Sequence, residues 1–228
     1  MSNSTEIQSR ILEVQKRISE AAIRSGRKAN EITLLAVTKT FPTPTIQSAY
    51  DAGLRQFGEN RVQESLEKIE TLPNDIQWHL IGQLQTNKIN KILGKFKLIH
   101  SVDSLHLAQA LSVRMGGSIQ DILLEVNTSG EVSKAGVSPS EALATAKEIL
   151  RLPGLSLAGL MTVGPLTEDG EKQRGAFKEL KRLFDVLRPD CGPGFSILSM
   201  GMSGDFETAI EEGSTLVRVG SAIFGARG

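Results

Sequence analysis

The fold is decided by Ile32-Thr-Leu-Leu-Ala-Val-Thr-Lys-Thr40, the segment that follows it, and Gly53-Leu-Arg-Gln-Phe-Gly-Glu-Asn60. A short apolar run leads into a helical segment, a glycine ends that segment, and a second apolar run begins. Glycine just past a helix readily takes the left-handed conformation that stops it. The unit therefore reads strand, helix, strand, and such a crossover pairs its two strands in parallel. Working outward, further apolar runs occupy Ile76–Gln83, Lys97–Asp103, Ile119–Ser129, Leu155–Gly164, Phe195–Ser203 and Thr215–Gly225. With the first two, that makes eight candidate strands. Seven candidate helices lie between them, and Gly94, Gly117, Gly154 and Gly213 end helices as Gly53 does.

Two of those helices are well marked. Ser138-Pro139-Ser140-Glu141 combines an N-cap serine, a proline at the first helical position and a glutamate three residues after the cap. Residues 169–188 carry Phe177, Leu180, Phe184 and Leu187 on one face. Eight repeats fit a closed (β/α)8 barrel, the TIM barrel, better than an open doubly wound sheet. The glycine fingerprint of dinucleotide-binding sheets and the P-loop are both absent. Ahead of the first strand, Ile7, Ile11, Val14, Ile18 and Ala22 recur at helical spacing, so residues 4–25 read as an amphipathic helix. The eighth run ends almost at the C-terminus, and this N-terminal helix is expected to fill the gap left in the outer ring.

The 228 residues carry 26 basic and 26 acidic side chains, so the net charge is zero. That balance gives no electrostatic reason to expect nucleic acid or an anionic membrane as partner. Aromatics are only 4 %, too few for a platform on which single-stranded bases would stack. One barrel domain over 1–228 is expected, at about 24 residues per strand–helix unit, near the lower limit for this architecture. The N-terminus has no apolar signal core, and no stretch has the length of a membrane span. A lone Cys191, in the turn-like run Pro189–Gly194, reads as a reduced loop thiol in a cytoplasmic protein. His79, His100, His106 and Cys191 show no metal spacing, and no metal site is expected.

In a barrel, chemistry sits at the C-terminal ends of the strands. Lys39 ends the first strand on the same face as Leu35 and Val37, so it points into the barrel mouth if they point inward. A lysine among apolar groups has a lowered pKa and supplies the neutral amine that Schiff-base chemistry needs. The plainer alternative is a lysine snorkelling to solvent. Ser199-Met-Gly-Met-Ser203-Gly204 and Val217-Arg218-Val-Gly220-Ser221 end the last two strands with small residues, where barrels often bind phosphate. Alternatively, Ser203 only caps a helix and the glycines only serve packing. Arg218 interrupts an apolar run, and a buried guanidinium needs an acceptor. An aldehyde for Lys39, a phosphate for Ser203, Gly220 and Ser221, and a ring acceptor for Arg218 describe pyridoxal 5′-phosphate (PLP).

Here the chain resembles, from end to end, the pyridoxal phosphate homeostasis proteins, whose fold is that of the N-terminal barrel of alanine racemase. The resemblance is carried by Ala36-Val-Thr-Lys39-Thr, Phe57-Gly-Glu-Asn60, Trp78-His-Leu-Ile-Gly82-Gln-Leu-Gln-Thr-Asn87-Lys88, Gly159-Leu-Met-Thr162, Leu198-Ser-Met-Gly-Met-Ser203 and Val217-Arg-Val-Gly220-Ser-Ala-Ile-Phe-Gly225. It implies a covalent aldimine at Lys39, a phosphate on Ser203, Gly220 and Ser221, and Arg218 at the pyridine nitrogen. It further implies that Asn60, His79, Ser199 and Met200 line the pocket. Arg61 departs from the family's more usual tyrosine after Gly-Glu-Asn, which bears on the pocket rim.

A racemase of the alanine racemase type needs a second base, a tyrosine from another domain and subunit. The sole tyrosine here, Tyr50, lies in a helix of the outer ring. Arg218 would also keep the ring nitrogen unprotonated and weaken the electron sink. These points favour a PLP-binding protein of vitamin B6 homeostasis, a monomer without catalytic residues that buffers or delivers the cofactor, with apo PLP-dependent enzymes as acceptors. The alternatives are an amino-acid racemase or other simple PLP enzyme, and a Schiff-base aldolase acting without PLP. The basic stretch Asn87–Lys97 reads as a solvated face beside the mouth, or as a docking surface for an acceptor.

Overall fold

The computed structural model describes residues 3–131 and 133–225. Eight strands, β1 (Thr33–Val37), β2 (Gln56–Glu59), β3 (Gln77–Leu80), β4 (Leu98–Val102), β5 (Gln120–Glu125), β6 (Leu155–Met161), β7 (Ile197–Ser199) and β8 (Leu216–Val219), close into a parallel barrel in chain order. The seam between β8 and β1 pairs Thr33 with Leu216 and Leu35 with Arg218. Between the strands run α2 (Thr43–Asp51), α3 (Val62–Thr71), α4 (Ile89–Ile92), α5 (Leu105–Ser112), α6 (Pro139–Ile149), α7 (Gly170–Cys191) and α8 (Phe206–Glu211). This is the (β/α)8 barrel that the alternating pattern predicts.

The N-terminal helix α1 (Asn3–Arg24) packs against α2 and α8 and closes the outer ring. Its buried stripe of Ile7, Ile11, Val14 and Ile18 is the one that the spacing predicts. Ion pairs flank the stripe, with Arg17 bonded to Glu207 (2.7 Å) and Arg24 to Glu211 (2.9 Å) on α8.

All eight strands are shorter than the apolar runs that contain them, and two element ends differ in kind from the sequence reading. The eighth run does not stay extended to Gly225, because the chain breaks at Gly220 and Ser221–Phe224 turns into a short helix, α9. So β8 is followed by a helical turn, which also contacts α1. The long helix α7 runs through Pro189 and stops only at Gly192, whose φ of 76° breaks it. Cys191 is therefore the last residue of a helix and not part of a turn.

Strand alternation sorts side chains into two cores. Ala36, Phe57, Leu80, Ile99, Leu160, Leu198 and Val217 face outward into one large cluster with the helices. Inward, a small apolar group of Leu98, Leu123, Ala158 and Met161 fills only part of the barrel. At Gly159 (φ 157°) the backbone of β6 passes so close to the Ile197 carbonyl that any Cβ would collide with it. The registry of β5 against β6 slips by one residue at this point.

Candidate functional site

The C-terminal ends of β1, β2 and β8 border a cavity of about 480 Å³. Lys39, Asn60, Ser203, Arg218, Gly220 and Ser221 all line it, together with Val37, Ile81, Val163, Met202 and Gly204. Six of the nine residues expected at one site from sequence thus meet there.

Lys39 stands two residues beyond β1, and its flanking backbone is clamped from the outer layer. Thr38 faces outward, where its hydroxyl donates to Glu59 Oε1 (2.5 Å) and its carbonyl accepts from Lys68 Nζ (2.9 Å). Lys68 on α3 also bonds Glu59 (2.7 Å) and Glu64 (2.6 Å). Glu64 in turn accepts the Thr40 backbone N–H at 2.7 Å. Thr40 adopts φ 69°, a left-handed conformation that a β-branched residue rarely takes without support. The buried lysine and its two carboxylates thus fix the main chain on both sides of Lys39. Burial raises the Glu59 carboxyl above its ordinary range, against the pull of Lys68 and Thr38.

Across the cavity, the backbone N–H groups of Gly220 (3.1 Å) and Ala222 (3.3 Å) donate to Ser203 Oγ. Ser203 is not the helix cap that a reading of α8 alone would allow, because Asp205 holds the N-cap position. Two amides and a hydroxyl therefore converge at the start of α9. Asn60 Oδ1, buried at the same cavity, has no hydrogen-bond partner among the described residues.

Arg218 is 5 % exposed and reaches inward from β8. Its Nη1 donates to Ser199 Oγ (2.7 Å) and its Nη2 to the Thr162 carbonyl (2.8 Å). Burial lowers its pKa to about 10, while Glu125 and Asp205 act in the opposite direction. Glu125, at the end of β5, is raised to about 7 by burial and by Asp103, with Arg218 opposing.

Three expected pocket residues lie elsewhere. Met200 is fully buried in the outer core, because it directly follows inward-facing Ser199 at the end of β7, and Met202 lines the cavity instead. Ser199 lies beneath Arg218, inside the barrel. His79 borders a different cavity of about 470 Å³ at the opposite, N-terminal end, with Gln56, Gln77, Lys97 and Asp121. Sequence reasoning missed Glu125, although it interrupts Ile122-Leu-Leu-Glu-Val126 as Arg218 interrupts its own strand. It also missed His100, Thr162 and the Lys68 cluster.

The remaining residues singled out from sequence fall outside the cavity. Tyr50 on α2 donates its hydroxyl to Asp75 (2.8 Å) under the Arg55 guanidinium. Arg61 precedes α3 and borders a small cleft with Gln83, Gln85 and Lys88. The basic stretch is not one face. Lys88 borders that cleft near Asn60, whereas Lys97 pairs with Asp121 (3.5 Å) at the far end of the barrel. Burial and Asp190 raise the Cys191 thiol above its ordinary value. Among the described residues, no helix is long and apolar enough to cross a membrane, and no three acidic, histidine or cysteine side chains form a metal cluster.

Comparison with known proteins matches residues 5–228 to the alanine racemase N-terminal domain family. A pyridoxal phosphate homeostasis protein from Aquifex aeolicus is 45 % identical over 228 residues, covering 99 % of each chain. The solved structure of PipY from Synechococcus elongatus with PLP bound superposes with a TM-score of 0.80 at 34 % identity, over 96 % of this chain and 100 % of that one. Alanine racemase from Corynebacterium glutamicum, at 15 % identity and a TM-score of 0.74, shares the fold over 98 % of this chain and 62 % of its own. The chain belongs to the pyridoxal phosphate homeostasis protein family, built on the alanine racemase N-terminal barrel.

Proposed function

We propose that this protein binds PLP in the cavity at the barrel mouth, holds it as a Schiff base on Lys39 and buffers or delivers it to apo-enzymes. The observation that carries this reading is the convergence of three chemistries on one cavity. Lys39 offers an amine, the Gly220 and Ala222 amides with Ser203 offer a cradle of donors for a phosphate, and Arg218 offers a buried cation. The residues fit such a group. Ser203 Oγ occupies the point where the two amides meet, as a phosphate oxygen could, and the position at Gly204 leaves space that a Cβ would not contest. The unpartnered Asn60 Oδ1 offers the bound molecule one further acceptor.

When bound, PLP supplies an aldehyde that amines attack and a pyridine ring that can draw electrons from the adduct. The surrounding side chains favour retention over turnover. Arg218 is charged at neutral pH even in its buried setting, so it presents a proton donor to a ring nitrogen and disfavours protonation there. Tyr50, bonded to Asp75 on the outer ring, is remote in role from a second base at the mouth. We further infer a cytoplasmic monomer in which Cys191, with its raised pKa, stays a thiol.

Absorbance spectra of the purified protein, taken before and after borohydride and followed by peptide mapping, test this directly. A band near the visible range that borohydride abolishes as it fixes the cofactor onto Lys39, and that Lys39→Ala lacks, is the expected result. An unmodified Lys39 in PLP-loaded protein overturns the assignment. Incubation with single amino-acid enantiomers in deuterated water separates carrier from enzyme, since rapid deuterium entry at the α-carbon would overturn the carrier-only reading.

A further inference from the structure

Beneath Arg218 a column of polar side chains runs down the inside of the barrel. Ser199 Oγ lies 2.7 Å from Arg218 Nη1 and 3.0 Å from His100 Nδ1, and His100 Nε2 lies 2.9 Å from His79 Nδ1. All four residues are 5 % exposed or less. They come from β8, β7, β4 and β3, and they occupy the part of the interior that the small apolar cluster leaves unfilled.

The chemistry of the donors fixes the first hydrogen of this column and favours one direction for the rest. A guanidinium only donates, so Ser199 Oγ accepts from Arg218, and His100 Nδ1 is the acceptor that its own proton has among the described residues. His100 then carries its proton on Nε2 and donates to His79 Nδ1. His79 is left with its proton on Nε2, the one buried atom of the column without a hydrogen-bond partner among the described residues. His79 itself lines the cavity at the N-terminal end of the barrel. The reverse arrangement would leave the Ser199 proton without an acceptor as well as His79 Nε2 without a partner, so this one pairs the most groups, and it keeps both imidazoles neutral. Burial favours that state, taking His79 down to about 4 and His100 well below its ordinary value.

We propose that His100 is a positioning residue for Arg218, the middle member of a one-directional hydrogen-bond column that runs Arg218–Ser199–His100–His79 and holds the guanidinium at the barrel mouth. A neutral column does this without a carboxylate in contact with Arg218, so the full cation remains available to whatever faces it from the cavity. The proton arrangement stands independently of the cofactor. The role toward a bound ring rests on the proposed function.

Two measurements test the column. Nitrogen-15 NMR of the histidines in the cofactor-free full chain at neutral pH is expected to show His79 and His100 both neutral and both protonated on Nε2. A charged ring, or a proton on Nδ1 of either, overturns the proposal. The second measurement is PLP binding with the absorption band as readout. His100→Leu leaves the Ser199 hydroxyl and His79 Nδ1 without partners, and about tenfold weaker PLP binding with a shifted band is expected, the effect of one buried hydrogen bond lost. His100→Gln can accept from Ser199 and donate to His79, and should restore both affinity and band position. Ser199→Ala serves if His100→Leu does not fold. Unchanged affinity and spectrum in His100→Leu or in Ser199→Ala also overturn the proposal. Should the parent protein fail to take up PLP, the proposed function fails, while the NMR result still decides the column.

Discussion

Glu125 and His79 titrate in opposite senses inside one barrel. Glu125 has a folded pKa of about 7 against an ordinary 4.5, so between those values the folded state holds the extra proton and stability falls as pH rises. For His79, at about 4 against 6.5, the folded state lacks the proton in that range, and stability climbs as pH rises. Between about pH 4.5 and 6.5 the two slopes oppose each other. Glu125→Gln removes one of them, so its unfolding free energy should climb more steeply than the parent's across this range, by up to about 1.4 kcal/mol per pH unit. Parallel curves from denaturant titrations at several pH values would refute the assignment of Glu125.

Lys68 offers a second prediction at this scale. Lys68→Met removes the cation that Glu59 and Glu64 share and leaves Glu59 buried with only Thr38. Breaking such a pair from one side costs about 3–5 kcal/mol. Glu59→Gln in the Lys68→Met background should recover much of that loss, as coupled neighbours do not behave additively. Because Lys68 also holds the Thr38 carbonyl, the single variant should lower PLP retention even in the fraction that remains folded. Chemical denaturation of the two singles and the double closes the cycle, and simple additivity would disprove the clamp.

At the level of elements, α1 acts as the missing stave of the outer ring. Ile11, on the buried face of α1, is 1 % exposed, so Ile11→Ala should cost about 2–5 kcal/mol, as other buried large-to-small changes do. Removal of residues 1–25 should expose the surface that α1 covers and drive aggregation; a soluble, cooperatively folding truncation would refute the role of the helix.

This helix and the eight strands were legible in the sequence because their signals are local, resting on spacing, terminal glycines and alternation within a few residues. Lys39 and Arg218 were legible for the same reason, as charges interrupting apolar runs. The His79–His100–Ser199 column was not, because its members are 21 and 99 residues apart in the chain. Alternation can tell that a side chain turns inward, but not which side chain of another strand it meets. It does forbid Ser199 and Met200 from facing the same way, which is why one lies beneath Arg218 and the other packs under the helices. Glu59 and Lys68 escaped notice since a charge on the outer face of a strand, or on a helix, ordinarily reads as exposed.

Across the whole molecule, PLP binding in the mouth cavity that Lys39 lines, as proposed, would couple the stability of the fold to one ligand. Any ligand that binds only the folded state stabilises it by mass action, about 2.7 kcal/mol at a concentration one hundred times the dissociation constant. For a chain of this size that is a rise in Tm of roughly 5–10 °C, measurable by calorimetry. The proposed covalent link through Lys39 would make the effect depend on that residue, so Lys39→Ala should lose most of the rise while its ligand-free Tm stays near the parent's. With no net charge to steer an anion from a distance, added salt should weaken capture only through the local field of Arg218 and Lys39. The PLP-induced rise should therefore shrink modestly between low and physiological salt. A rise that persists fully in Lys39→Ala, or one that collapses on adding salt, would place the main PLP site somewhere other than the barrel mouth.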